Sequence, residues 1–162
     1  MVVGGELDSW DAMSDDDWER RTKVLATAAE RHGARYVSVF PYGARGGSAN
    51  DVERRFEIEG VRVTVSRQTD GRERIAAALR VAPNSPRDER SIESILHGDA
   101  GESDLVVVLG PPDRLPPSLV WELAYSELVF VDIDWRELDV DALDDALDVF
   151  HGRERRFGGV DE

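Results

Sequence analysis

Residues 105–109 read LVVVL, an apolar run of strand length. This pattern is typical of a strand in the middle of a parallel sheet, where helices cover both faces. Two further strand patterns occur at Tyr36–Phe40 (YVSVF) and Val61–Val65 (VRVTV), and helical patterns lie between the strands. The alternation predicts an α/β domain with a mainly parallel sheet and helices on both faces.

Helix boundaries follow from capping residues. Ser14 precedes three aspartates and is predicted to cap a helix that ends at Gly33, and Asp139 is predicted to cap the last helix. Helices are predicted at residues 14–33, 51–57, 85–98, 118–127 and 139–150, with a short strand at 128–131, while residues 74–81 fit a helix or a strand. Residues 1–13 are expected to be a flexible lead-in, which leaves 14–162 as a single domain.

Composition narrows the class of protein. Thirty-four acidic residues against 20 basic ones give a net charge of −14, and Lys23 is the sole lysine. This balance predicts the surface of a halophile, with an acidic protein from a GC-rich genome as the alternative, and it argues against a nucleic-acid partner. No continuous run of apolar residues approaches the length of roughly 18 that a membrane helix requires. We therefore expect a cytoplasmic protein whose membrane association, if any, comes through a complex.

Two C-terminal motifs carry a resemblance to a known family. Residues 121–130 read WELAYSELVF and residues 154–160 read ERRFGGV. They resemble the C-terminal part of cis-prenyltransferases, the undecaprenyl diphosphate synthase family, whose versions are close to WQLAYAELYF and ERRFGGV. From Asp104 to Trp121 the chain also follows the family's DLLIRTGGEQRLSNFLLW without a gap. The resemblance implies the family's fold in a shortened form.

The resemblance also shows what is missing. The family's DGNGRWA-like loop has no counterpart, which implies that the first strand and a metal-binding aspartate are absent. Val108 stands where the family has a diphosphate-binding arginine, Pro116 replaces a serine, and Arg114 matches a second diphosphate arginine. Glu127 matches a magnesium-binding glutamate, but one carboxylate is a poor magnesium site. The chain is therefore expected to be non-catalytic and to need no cofactor when alone.

The tail implies a role inside a complex. Arg156-Phe157-Gly158 matches the family's C-terminal Arg-x-Gly motif, which in heteromeric members reaches into the partner's site and holds the diphosphate of isopentenyl diphosphate. The resemblance is to the Nogo-B-receptor-type, non-catalytic subunit, here of haloarchaeal origin. It implies a catalytic cis-prenyltransferase paralogue as partner, in a heterodimer or heterotetramer, with magnesium held mainly by that partner. The complex would make long polyprenyl diphosphates for dolichol-type carriers.

Other interpretations stay open. The LGPPDRLPP segment favours a degenerate homologue that serves as a binding or regulatory homodimer without prenyl transfer. The tail arginines fit helix-end cations, Glu127 fits a helix-end carboxylate, and Arg114 fits a solvated loop. The glycine-rich loop at residues 43–47 lacks phosphate-loop spacing and is interpreted as a connector.

Aromatic and histidine residues complete the candidate set. The aromatic residues assigned to the core or a dimer interface are Trp121, Tyr125, Phe130 and Trp135. The three histidines, His32, His97 and His151, share no metal-ligand spacing and are interpreted as helix caps or surface residues.

Overall fold

The structure, a computed structural model, describes residues 1–43, 53–81, 88–112 and 115–153. Within these ranges the strands are β1 (Val2–Val3), β2 (Tyr36–Phe40), β3 (Arg54–Ile58), β4 (Val61–Val65), β5 (Leu105–Leu109) and β6 (Glu127–Val131). The helices are α1 (Leu7–Asp11), α2 (Asp15–Arg31), α3 (Gly71–Val81), α4 (Glu89–His97) and α5 (Val140–His151). Predicted features that fall outside the described residues are Arg114, Arg156, Gly158 and all but the first residue of the 43–47 loop.

The strands form one mixed sheet in the order β3-β4-β2-β1-β5-β6. All neighbouring strands are parallel except β3, which pairs antiparallel with β4. All five residues of β5 are buried, as the apolar run predicts. The predicted α/β class with a mainly parallel sheet is therefore confirmed.

The first strand is present, which corrects the expectation of a flexible lead-in at residues 1–13. Val2 and Val3 pair with β2 on one side and with β5 on the other. The Trp10 indole is 2% exposed and donates a hydrogen bond from Nε1 to the carbonyl of Gly4, at 3.0 Å. Two residues are too few to show a periodic pattern, so the sequence carried no strand signal here.

Helices cover both faces of the sheet. On one face, Leu25 of α2 and Leu143 of α5 belong to the same buried cluster as Val39 and Val107 of the sheet. On the other face, α3 brings the Arg74 guanidinium over the Phe40 ring, 4.5 Å from its centroid, and α3 packs against α4. The predicted two-sided arrangement is confirmed.

Local capping rules place two helices correctly. The Ser14 hydroxyl accepts a hydrogen bond from the backbone N–H of Asp17, and the Asp17 carboxylate accepts one from the N–H of Ser14, both at 3.1 Å. This reciprocal pair satisfies two of the free donors at the start of α2. Asp139 caps α5 in a similar way, by accepting from the N–H of Ala142.

Two predicted helices are wrong. Residues 54–58 form β3 because Glu59 and Gly60, with φ of 52° and 80°, make the tight turn of a hairpin with β4. The stretch 118–127 forms 3₁₀ turns at Pro117–Leu119 and Glu122–Ala124 before β6 begins. In this stretch the Glu122 side chain is buried, and such contacts with the rest of the fold outweigh the local helix propensity.

Replacing Trp10 tests whether residues 1–13 belong to the folded core. Trp10→Ala should lower the free energy of unfolding by about 3–5 kcal/mol, the usual cost of emptying a buried aromatic site. Urea unfolding followed by far-UV circular dichroism measures it, because that signal does not depend on the tryptophan removed. Trp121→Ala, at a partly exposed position, is the control and should cost less. Equal losses in the two variants would mean that the N-terminal segment does not pack as described.

Candidate functional site

The carboxyl ends of the parallel strands meet at one edge of the sheet. Strands β2 and β4 lie on one side of β1 in the sheet, and β5 and β6 lie on its other side. A ligand crevice in such sheets forms where the strand order diverges. Here that point lies between residues 4–6, which follow β1, and residues 110–112, which follow β5.

The protein's own side chains pack closely against the loop after β1. A Cβ on Gly4 would lie 2.8 Å from Leu109 Cδ1 and 3.0 Å from Trp135 Cε3. A Cβ on Gly5, whose φ is +74°, would lie 2.7 Å from the Trp10 Nε1 atom. Two indole rings and a leucine thus fill the inner side of the loop.

That loop has a glutamate, and no aspartate, where the family has its metal-binding aspartate. The resemblance places a metal-binding aspartate directly after the family's first strand, and this chain has Gly4-Gly5-Glu6 there. The Glu6 carboxylate points toward the end of β2, since a Cβ on Gly43 would lie 3.4 Å from Glu6 Oε2. Glu6 is therefore the carboxylate that this loop brings to the carboxyl edge.

Val108 is the fourth of the five residues of β5 and brings no cation to the carboxyl end of this strand. Its side chain is fully buried in a cluster with Val3 and Phe40. An arginine at this position in this chain would bury an unpaired charge, which is costly. Arg114, the second candidate phosphate ligand, lies outside the described residues and stays a prediction.

Glu127 lies at the opposite edge of the sheet. It is the first residue of β6 and is in register with Leu105, the first residue of β5. Four strand steps of about 3.3 Å, or about 13 Å, separate it from the carboxyl end of its strand. Its Oε2 atom is 3.6 Å from Arg153 Nη1, and the same nitrogen donates to the carbonyl of Leu128 at 2.8 Å.

The described residues around Glu127 do not fit a magnesium ion. Magnesium requires several oxygen ligands in near-octahedral geometry. Across the described part of the chain, Glu127 belongs to no group of three His, Asp or Glu side chains whose ligand atoms lie within 4.8 Å of one another. Its carboxylate instead forms an ion pair with Arg153. The prediction that Glu127 binds a metal therefore requires that another chain supply the remaining ligands.

Three of the four assigned aromatic residues lie at the surface beside β6. Tyr125 and Phe130 are 45% and 36% exposed, and Trp121 is partly exposed with its ring 5.7 Å from that of Tyr125. We call Trp121, Tyr125 and Phe130 the aromatic patch. Strand β6 lies at the edge of the described sheet, a position at which another chain can pair with a strand.

Trp135 is a core residue, so of its two predicted assignments the core is correct and the dimer interface is wrong. It is 3% exposed, and its ring centroid lies 5.8 Å from that of Trp10 and 6.2 Å from that of Trp18. Its Nε1 donates to the Met13 sulfur at 3.4 Å. A side chain enclosed in this way has no surface left for a partner.

The interior contains a cluster of charged and polar side chains that the sequence did not predict. Arg74 Nη2 of α3 lies 2.9 Å from Glu122 Oε1, and Arg74 Nη1 donates to the carbonyl of Ser118 at 2.8 Å. His97 Nε2 of α4 lies 3.5 Å from the same Glu122 oxygen. All three charged or polar side chains are at most 5% exposed. We call Arg74, His97 and Glu122 the buried cluster.

The buried cluster holds the WELAYSEL segment in place. Neither carboxylate oxygen of Glu122 accepts a well-directed hydrogen bond from the described residues, so the ion pair with Arg74 compensates its burial. Close backbone packing reinforces it, because a Cβ on Gly71 would lie 2.8 Å from the nitrogen of Val120. The position of the aromatic patch therefore depends on a charge pair in the interior.

Comparison with known proteins identifies the family. Residues 9–158 match the protein-family model described as putative undecaprenyl diphosphate synthase. This match spans most of the chain, so the chain belongs to that family, the cis-prenyltransferases. None of the helices in the described ranges is both long enough and apolar enough to cross a bilayer.

This chain aligns with a part of the length of each of two curated relatives. An isoprenyl transferase from Neisseria meningitidis serogroup A is 47% identical over 68 residues, which cover 42% of this chain and 27% of the relative. A ditrans,polycis-undecaprenyl-diphosphate synthase from Pectobacterium atrosepticum is 35% identical over 103 residues, which cover 64% of this chain and 38% of the relative. The chain thus spans well under half of these relatives.

A solved structure shares the fold. The crystal structure of a probable undecaprenyl diphosphate synthase from Campylobacter jejuni superposes with a TM-score of 0.55 and 18% identity, covering 97% of this chain and 81% of that one. At this identity the likeness establishes the architecture and nothing about activity.

The buried cluster predicts a pH dependence of stability. Burial lowers the pKa of His97 below its ordinary value of 6.5, and Glu122 opposes part of that shift. The unfolded chain therefore binds a proton more readily than the folded one, so the free energy of unfolding should fall as the pH drops below 6.5, until the lower folded pKa is reached. Urea unfolding at a series of pH values measures this slope.

The His97→Asn variant is the comparison for that slope. Its free energy of unfolding should depend less on pH over the same window, because Asn does not titrate. Parallel pH curves for the two proteins would contradict a buried, neutral His97.

Proposed function

We propose that this chain is the non-catalytic accessory subunit of a heteromeric cis-prenyltransferase, of the Nogo-B-receptor type. The observation that carries the proposal is the anchoring of Arg153 to the carbonyl of Leu128 on edge strand β6. Arg153, three residues before Arg156, is thus held next to an edge strand of the described sheet. A second chain that pairs with this edge would lie next to Arg153.

The chain's own carboxyl edge supports a non-catalytic role. Trp10 and Trp135 fill the inner side of the loop after β1, and Val108 offers no donor. Leaving-group departure from an allylic diphosphate requires fixed cations and donors around the phosphates. The partner, a catalytic paralogue with the DGNGRWA motif, would supply the magnesium ligands and the allylic site.

In the shared site, the tail would act on isopentenyl diphosphate. The Arg156 guanidinium would donate two parallel N–H bonds to diphosphate oxygens, and its planar fork suits that geometry. Gly158 would let the backbone approach the phosphate closely, since it has no side chain. Glu127 and Arg114 are secondary candidates for the same shared site. The product would be a long polyprenyl diphosphate of the dolichol type, made in the cytoplasm next to a membrane by a haloarchaeal cell.

One observation favours a second candidate function. Pro111 and Pro112 take the place of ligand-binding loop residues, and the crevice beside them is packed with aromatic rings. A degenerate homologue that forms a binding or regulatory homodimer, with no part in prenyl transfer, would show the same features. In that case the aromatic patch would pair with a second copy of this chain.

Two variants of the co-expressed complex separate assembly from activity. Arg156→Ala should leave the complex assembled and lower prenyl transfer from labelled isopentenyl diphosphate at least tenfold, because losing a charge-assisted bond costs roughly 1.5–3 kcal/mol. Tyr125→Asp should weaken assembly, measured by co-purification and light scattering, because a carboxylate would be buried at the interface. Val149→Asp is the matched control, because Val149 is 50% exposed on α5, outside the aromatic patch.

Either of two results would overturn the proposal. Full activity of the Arg156→Ala complex would rule out a trans-acting tail. Equal assembly of the Tyr125→Asp and Val149→Asp complexes would mean that the aromatic patch is not the contact surface. A stable homodimer that excludes the paralogue would favour the second candidate.

A further inference from the structure

The C-terminal ends of α2 and α5 bring two histidines together. His32 follows the last residue of α2, and His151 is the last residue of α5. Their rings are stacked, with centroids 5.4 Å apart and planes at 15°. Asp148, one turn before His151, joins them, so that one ligand atom from each of the three side chains lies within 4.8 Å of the other two.

A fourth group faces this cluster with an unused oxygen. Asp144 Oδ2 lies 2.6 Å from Arg31 Nη1, whereas Asp144 Oδ1 is buried and has no hydrogen-bond partner among the residues that the structure describes. That second oxygen lies 3.3 Å from His32 Nε2. A buried carboxylate oxygen without a donor is unusual, and it is satisfied when a cation binds next to it.

We propose that His32, Asp148 and His151 bind one transition-metal ion of the zinc class, with Asp144 or water in the fourth position. Two imidazole nitrogens and one or two carboxylate oxygens suit Zn²⁺, whereas Mg²⁺ prefers oxygen ligands alone. The charge of the cluster also suits a cation. Two aspartates and one arginine give it a net negative charge when both imidazoles are neutral. The ligand set differs from that of a magnesium site, because two of the three ligand atoms are imidazole nitrogens.

Binding requires a small, local rearrangement. Zn–N and Zn–O distances of about 2.0–2.2 Å place neighbouring ligand atoms of a tetrahedral site about 3.3 Å apart. The ligand atoms must therefore approach one another by up to about 1.5 Å, and one stacked ring must turn so that both rings point at the ion. Asp148 and His151 are exposed, so these rotations meet little steric resistance.

The ion would clamp two helices that are distant in sequence. It would tie the end of α2 to the end of α5, one residue before the tail segment begins at Gly152. Because the ligands converge only in the folded chain, the ion would also stabilise the fold by mass action. This role does not depend on the proposed function, since it concerns this chain alone.

Metal titration of the untagged full chain tests the site. Isothermal titration with Zn²⁺ should give one site per chain, and Co²⁺ should give the visible absorption bands of a low-symmetry nitrogen and oxygen site. His151→Asn and Asp148→Asn should each weaken Zn²⁺ binding at least tenfold, since even the loss of an outer partner costs about 10–100-fold. Asp145→Asn is the matched control, because it removes the same charge from an exposed position of α5 outside the cluster.

Circular dichroism establishes that each variant folds before it is titrated. The proposal is overturned if the folded wild-type chain binds no Zn²⁺, if His151→Asn binds it as tightly as wild type, or if Asp145→Asn weakens binding as much as Asp148→Asn. The last result would mean that the ion follows general negative charge instead of this ligand set.

Discussion

The whole sheet depends on the pairing of Val2 and Val3 with β2 on one side and β5 on the other. Without these two residues, two half-sheets would face each other with unpaired backbone groups in the interior, which is costly. The same pairing aligns the carboxyl ends of the parallel strands at one edge. It also positions Trp10 and Trp135 against the loop after β1, so the element that completes the sheet also helps to fill the crevice.

The carboxyl edge of the sheet and its β6 side differ in packing and in the side chains that they present. The carboxyl edge, where this fold class usually binds ligands, is closely packed around Gly4 and lacks a cation at Val108. Strand β6 lies at the edge of the described sheet, the aromatic patch lies beside it, and its Leu128 carbonyl accepts a hydrogen bond from Arg153. The buried pair of Arg74 and Glu122 holds the segment that leads into this side. This asymmetry is the structural basis of the proposal that the chain acts through a partner.

Features that depend on local sequence could be predicted, and features that depend on distant contacts could not. The parallel sheet followed from apolar runs such as LVVVL, and the helix starts followed from caps such as Ser14. Strand β3 was missed although the Glu59-Gly60 turn signals a hairpin. The pairing of Arg74 with Glu122 gave no local signal, because only the packing of α3 against the segment after β5 brings them together. The tail's role was predicted from its motif alone, and it is still a prediction.

Prenyl transfer in a reconstituted mixture shows whether this chain completes the active site of a catalytic partner. The assay uses high-salt buffer with magnesium and labelled isopentenyl diphosphate, and it compares this chain alone, a catalytic paralogue alone, and the two co-expressed. An accessory subunit predicts long polyprenyl products in the mixture and little product from either chain alone. A paralogue that is fully active alone and unchanged by this chain would contradict the account.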